Sequence, residues 1–310
     1  MDIHRYWTFA LPALLLLFAA CTIPEDEAPT PTHQLLPGPV FGTWLPDDYI
    51  PQNPSRVLFL GDSITRGTGA DTHARGYPRL LLQNDDDTWP DWVTADLESS
   101  FGPIDEIHNV SHGGDRTGSV AGTQLTQLSE RIGKSVEGQS LVVITIGGND
   151  MLLTLLGAGI HQDPDTMVAS ELGIMIDNLT AVITYFADPL RFPDGAYIYL
   201  TNVYDPTDAV GHAPACFNDL DLDPVLHYLD DANRAILLLA KKLNFAYVDL
   251  RGHFLGHGLN HDMSDSTWYD TTDPSQWFDP DCIHPNNRGH HEIRRLFLGA
   301  ITQAPLIREY

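Results

Sequence analysis

Two short stretches far apart in the chain hold the parts of a nucleophilic catalyst. Val57-Leu58-Phe59-Leu60-Gly61-Asp62-Ser63-Ile64 is an apolar run that stops at a glycine and then presents a serine. Asp281-Cys282-Ile283-His284-Pro285 sets a carboxylate three residues ahead of a histidine. A serine hydroxyl is a weak nucleophile until an imidazole takes its proton, and that imidazole needs a partner on its other nitrogen to fix its tautomer. Ser63, His284 and Asp281 are the residue types for those three roles. A plainer reading stands beside this one: Asp62 or Ser63 caps a helix, and Asp-x-x-His recurs by chance in a chain with 14 histidines.

Two further blocks carry groups suited to stabilising an oxyanion. Asn109-Val110-Ser111-His112-Gly113-Gly114-Asp115 holds a glycine pair that lets backbone approach a ligand and leaves an N–H for it. Glycine pairs also make ordinary turns, and the active glycine is Gly114 or, one residue earlier, Gly113. His112 is a second base candidate, read as having no carboxylate at comparable spacing to orient it. In Ile144-Thr145-Ile146-Gly147-Gly148-Asn149-Asp150, the Asn149 amide can donate to a developing oxyanion. Alone, that block reads as an Asn-Asp turn.

The elements that must position these groups are legible as apolar runs alternating with amphipathic stretches. Strands are expected at 57–60, 104–110, 141–146, 196–202 and 245–249. Helices are expected at 92–101, 120–132, 167–186 and 224–243, with a last one at 288–302. Such alternation implies a parallel sheet covered by helices on both faces, and ligands then bind beyond the carboxyl ends of the strands. Four of the five expected strands end at residues of chemical interest. The Gly-x-Ser-x-Gly elbow occurs nowhere in the chain, which argues against an α/β-hydrolase fold.

In order and spacing, Gly-Asp-Ser-Ile, the glycine before Asp115, Gly-x-Asn-Asp and Asp-x-x-His-Pro resemble the SGNH (GDSL-type) hydrolases. The resemblance covers nearly all of the chain beyond its N-terminal segment. It implies a three-layer α/β/α flavodoxin-like sandwich with a five-stranded parallel sheet. It also implies hydrolysis of an ester through an acyl-serine intermediate, with no metal and no cofactor. Carried onto this sequence, Ser63 is the nucleophile and first oxyanion donor, Gly114 gives a backbone N–H and Asn149 a side-chain N–H. His284 is the general base and then acid, and Asp281 orients it.

Outside these blocks the chain carries two long loops. The one after the fourth strand is rich in Gly, Pro and Asp and holds Cys216. Cys216 and Cys282, an even pair in an exported domain, are expected to form a disulfide joining this loop to the catalytic loop. The second, 252–279, carries His253, His257 and His261. Their equal spacing suggests a metal face on a helix, but Gly252, Gly256 and Gly258 favour a loop that walls the crevice. Trp268, Tyr269, Trp277 and Phe278 are read as packing residues, with a sugar or acyl platform as the alternative.

Residues 1–20 read as a secretory signal: Arg5 precedes an apolar run too short to span a bilayer, ending in Leu17-Phe18-Ala19-Ala20 before Cys21. This resembles a bacterial lipobox with Cys21 as the lipidated residue, an ordinary cleaved signal being the alternative. Residues 21–43, rich in Pro, Glu and Thr, read as a flexible tether, and 44–310 as one α/β domain. Net charge is −25, from 42 acidic and 17 basic residues. That surface disfavours nucleic acid and anionic lipid, leaving membrane contact to the N-terminal lipid. Clusters such as Asp85-Asp86-Asp87 lack EF-hand spacing and read as solvated loops rather than Ca²⁺ sites. The expected protein is a monomeric cell-envelope esterase, or a secreted or periplasmic one, acting on a small or carbohydrate-borne ester such as an acetyl group. A polar, acidic chain with no broad apolar stretch beyond its signal points away from a lipase. A lysophospholipase or thioesterase, or a non-catalytic glycan-binding lipoprotein, are the alternatives.

Overall fold

The computed structural model describes residues 39–213, 216 and 221–304. The signal segment, Cys21 and most of the tether lie outside the described residues. Five strands form one parallel sheet: β1 (Pro54–Gly61), β2 (Glu106–Asn109), β3 (Gln139–Thr145), β4 (Ala196–Thr201) and β5 (Ala246–Val248). Their order is β2-β1-β3-β4-β5, that of a flavodoxin-like sandwich. Gly61 pairs with Thr145 and Phe59 with Asn109, so three consecutive neighbours end together. The blocks that follow them therefore emerge at one edge of the sheet. Trp44 bridges Tyr247 in antiparallel fashion beside β5, and the Gly42 N–H reaches Asp249 Oδ2 at 2.5 Å. The chain thus joins the fold slightly before the boundary expected at 44.

Side chains alternate across a strand, so β1 feeds two cores. Leu58 and Leu60 join Val142, Ile144 and Leu200 on one face. That face is covered by α4 (Leu125–Ile132), α5 (Gly148–Ala158), α6 (Pro164–Phe186) and α7 (His227–Leu243). Val57 and Phe59 join Leu141, Val143 and Tyr199 on the other. There they meet α2 (Tyr77–Leu82), α3 (Leu97–Phe101), α8 (Leu250–Phe254) and α9 (Asn287–Thr302). Burial on both faces is why β1 and β3 read as unbroken apolar runs.

Several expected elements differ. The helix expected at 92–101 is a 3₁₀ turn, Pro90–Trp92, followed by α3. Thr94 takes φ 67° between them, and the Asp96 side chain accepts the Ser99 N–H to start α3 afresh. β2 is shorter than expected because it is an edge strand with mostly exposed side chains, where alternation toward a core is weak. The stretch expected as a helix at 120–132 opens with a π turn, Val120–Gln124, ahead of α4.

Candidate active site

Gly61 ends β1 at φ 143°, and a Cβ there would lie 2.2 Å from the Thr145 carbonyl oxygen. Only glycine lets the chain leave the sheet this close to β3. The buried Gln124 side chain clamps this point from the π turn, accepting the Gly61 N–H at 2.9 Å and donating to its carbonyl at 2.6 Å. Asp62 then caps the short helix α1 (Ser63–Arg66), its Oδ1 accepting the Ile64 N–H at 2.9 Å. Ile64 and Thr65 are buried beneath α1, so Ser63, on its first turn, is left facing the crevice.

His284 Nε2 lies 2.7 Å from Ser63 Oγ, and His284 Nδ1 lies 2.5 Å from Asp281 Oδ2. The other carboxylate oxygen of Asp281 accepts the backbone N–H groups of Ile283 and His284 at 3.0 and 2.9 Å. Partial burial would raise the Asp281 pKa, but those hydrogen bonds and the facing imidazole hold it below the usual carboxylate range. The loop carrying the pair is pinned on several sides. The Asp279 N–H donates to the His284 carbonyl, the Asn286 N–H to that of Trp277, and the Tyr204 hydroxyl to that of Ile283 at 2.6 Å. Asn286 also caps α9 by accepting the Gly289 N–H.

The oxyanion candidates sit around Ser63. His112 to Asp115 form a turn closed by the Asp115 N–H on the His112 carbonyl, with Gly114 at φ 80° as its third residue. Gly113 is the glycine beside the nucleophile, a Cβ there falling 4.0 Å from that of Ser63, whereas none would meet Gly114 within 4 Å. Asn149 follows Gly148 at the start of α5 and donates one amide hydrogen to the Asp115 carbonyl at 2.9 Å. That bond ties the Asn149 block to the glycine block and leaves the second amide hydrogen.

Some expectations need correction. His112 does have a carboxylate: Asp115 Oδ2 lies 3.6 Å from its Nδ1, although that oxygen also accepts Gln124 Nε2 at 2.7 Å. Three-residue spacing on a turn brings the pair together, the same spacing that unites Asp281 and His284. It is His284 that reaches Ser63. The three loop histidines do not converge. His253 contacts Glu292 at 2.9 Å, His257 stacks on Trp277 at 3.5 Å, and among the described residues no three metal-ligating side chains come together. Gly252 does not break the chain into loop, because it lies inside α8. Trp277 and Phe278 are core residues and Trp268 packs on Phe41, so these aromatics do not line the crevice. Cys216 and Cys282 are joined by a disulfide, with Cα atoms 5.8 Å apart.

Other positioning residues carry no motif. Gly69, at φ 92°, packs against the Pro285 carbonyl, which a Cβ would approach to 2.2 Å. His290, one turn into α9, contacts the Thr68 carbonyl through Nε2 and accepts the Tyr77 N–H at Nδ1. Burial lowers its pKa to about 4, keeping it neutral. These contacts press the loop after the nucleophile onto the base of the histidine loop. Their only sequence signal is a lone glycine and one histidine among many.

A cleft of roughly 900 Å³, counting the part open to solvent, begins at Ser63 and Asn149 and runs along the ends of β3 and β4 between α5 and α7.

Residues 59–292 match a family model described as the GDSL-like lipase/acylhydrolase family. In fold, the chain is similar to an extracellular lipase from Streptomyces rimosus, at 20% identity and TM-score 0.51, over 81% of this chain and 100% of that one. It is also similar to a lipase from a goat rumen metagenome, at 17% identity and TM-score 0.53, over 79% of this chain and 96% of the other. Comparison with curated protein sequences finds no match.

Proposed function

The chain belongs to the GDSL-like lipase/acylhydrolase family of ester-hydrolysing enzymes, and on that premise we propose that it is a serine esterase acting through an acyl-Ser63 intermediate. The observation that carries this reading is the continuous relay Ser63–His284–Asp281, with a 2.7 Å contact between residues 221 apart in the chain and one of 2.5 Å within the histidine loop. His284 Nε2 takes the Ser63 proton as Oγ attacks the ester carbonyl carbon. The carbonyl oxygen becomes an oxyanion, stabilised by the Ser63 N–H, by Asn149 Nδ2 and by a backbone N–H of the Gly113–Gly114 turn, that of Gly114 by the family pattern and that of Gly113 by nearness to Ser63. Collapse breaks the C–O bond to the alcohol, which leaves with the proton from His284. Water, deprotonated by His284, then attacks the acyl-serine and releases the carboxylic acid. Asp281 stays ionised throughout and balances the imidazolium, in keeping with its lowered pKa. Removing one oxyanion donor such as Asn149 typically costs about 3–4 kcal/mol of transition-state stabilisation.

Ser63→Ala tests the reading directly. Release of p-nitrophenol from p-nitrophenyl acetate should fall by at least about 10³-fold; equal rates for variant and wild type would sink it. For the substrate itself, an acetyl ester on a carbohydrate is the short-chain reading, and a lysophospholipid or thioester the long-chain one. Trp277 and Phe278 are core residues and offer a sugar no platform, while Tyr204 lines the cleft, and the acyl side is the one its walls describe.

We also infer export and attachment to the cell envelope through lipid on Cys21, with secretion or periplasmic release as the alternative. The apolar run ahead of Cys21 supports this, as does the Cys216–Cys282 bond, because disulfides persist in oxidising compartments. Cys21→Ala should move the protein from membrane to soluble fractions. Mass spectrometry finding an unmodified residue at position 21 would refute the anchor.

A further inference from the structure

We propose that the cleft beside Ser63 is an acyl-chain site, built for a straight saturated chain of medium length rather than for acetyl. The inference rests on the esterase reading of Ser63 and adds the identity of the acyl group. At one end of the cleft stand Ser63 and Asn149, the groups that would handle the ester carbonyl. Away from them, Met151, Leu152 and Leu155 of α5 form one wall and Leu222, Leu226 and Leu229 the other. Five of these six are largely hidden from solvent, and Leu152 is half-buried.

Most of the polar residues that also line the cleft are engaged within the protein, and Tyr204, which lines it too, donates its hydroxyl to the Ile283 carbonyl. Thr145 Oγ1 lies 2.5 Å from Thr65 Oγ1. Asn202 donates to the Tyr247 hydroxyl at 2.8 Å and to Asp249 at 2.7 Å, and its carbonyl oxygen accepts the Arg251 N–H. Asp205 accepts from the N–H and hydroxyl of Thr207 and from the Ala209 N–H, and Thr207 Oγ1 in turn accepts the Gly211 N–H. Asp62 accepts from Ile64 next to the nucleophile. These bonds shape the strand ends and leave hydrocarbon as the surface that the deeper walls present. A hydroxylated or charged acyl group would lose its water there without gaining partners. An acetyl group would leave the leucines facing water.

Each methylene moved from water into such walls favours the bound state by about 0.8 kcal/mol, or roughly fourfold. Because this contact is made in the bound ground state and in the transition state alike, the gain is expected in kcat/KM, chiefly through KM. The test is a series of p-nitrophenyl esters, from acetate through butyrate, hexanoate and octanoate to laurate, each below its aggregation concentration. Wild type should show kcat/KM rising from acetate to a maximum at hexanoate or octanoate. Leu155→Trp, which fills the cleft, should cut the octanoate-to-acetate ratio of kcat/KM at least tenfold. Leu152→Trp, at a half-buried wall position, should do the same and serves if the deeper variant misfolds. Leu190→Trp, on an exposed surface away from the cleft, should leave the ratio unchanged. A wild-type preference for acetate over every longer ester, or tryptophan variants that slow all esters in proportion, would overturn the acyl site while leaving the esterase intact. If no ester is cut in a Ser63-dependent way, the esterase reading fails, and the acyl site with it.

Discussion

Asp62 and Ser63 occupy one turn and divide its two tasks. The plain reading of Gly-Asp-Ser, a helix entry, describes Asp62, which caps α1; the chemical reading describes Ser63, which faces His284. The same contact has a consequence for Asp62. Burial, with Asp150 and Asp115 adding to it, pushes its pKa up to about 7, against the hydrogen bond from the Ile64 N–H. Between the ordinary carboxyl range and pH 7, the folded protein keeps a proton that the unfolded chain has released. Stability from this group is therefore present at low pH and is lost as the pH rises through 7, at up to about 1.4 kcal/mol per pH unit. Asp62→Asn keeps a neutral oxygen for the Ile64 N–H and no longer titrates. The melting temperature of the variant should rise relative to wild type from pH 5 to pH 8. A constant difference across that range would mean that Asp62 is not held protonated. Spacing offered Ser63, Asp281, His284 and Asn149 as candidates, and the four blocks taken in order, through their resemblance to a family, raised them above a helix cap, a chance Asp-x-x-His and an Asn-Asp turn. Gln124 was not legible, since a lone glutamine in a helical stretch gives no sign that it clamps Gly61 from 63 residues away.

At the scale of elements, apolar runs marked β1, β3, β4 and β5, because strands buried on both faces leave little room for polar residues. By contrast β2, an exposed edge strand, is flanked by the buried Ile104 and Val110 but is not itself such a run. Helices were harder. The Gly147-Gly148-Asn149-Asp150 block reads as a turn, yet Gly147, at φ 108°, precedes the first residue of α5. The run Met151–Leu156 is nearly all apolar, so it lacks the periodic polar face that identifies a surface helix. That lack reflects position: Met151 and Leu155 both join the core and line the cleft, while the exposed side of α5 carries Leu153 and Leu156 in place of polar residues. α2 was missed for a related reason, since Tyr77, Leu80 and Leu81 are buried against α9 and β1 in only six residues. The expectation that the chain is not a lipase came from the absence of any broad apolar stretch, and a chain-length series of esters is what tests it. The cleft's walls are instead assembled from α5, the segment around Leu222 and the start of α7, which become neighbours only in the fold. Composition averaged over the chain does not register such a surface.

For the molecule as a whole, the load on the Cys216–Cys282 bond exceeds that of an ordinary surface staple. Asp281 is exposed, and the loop from Asp279 to Pro285 contains no helix or strand; it is closed at its base by the Phe278–Pro285 bridge and leads into the cap of α9. Cys282, at φ 71°, sits inside that loop next to Asp281, and its partner lies in the segment leading from β4 to the Leu222 wall of the cleft. The bond closes a loop of 66 residues, for which the chain-entropy model gives about 4 kcal/mol of stabilisation through the unfolded state. Replacing both residues, Cys216→Ser with Cys282→Ser, should therefore lower the melting temperature. It should also reduce kcat on acetate and octanoate esters together, because loosening Asp281 and His284 weakens a step common to all substrates. A change in chain-length preference alone would instead place the bond's effect on the cleft wall. The same losses should follow when wild type is treated with reductant, and the double variant should be indifferent to it. Wild-type melting and kcat that survive full reduction would show that the hydrogen bonds from Tyr204, Asp279 and Asn286 suffice to hold the loop.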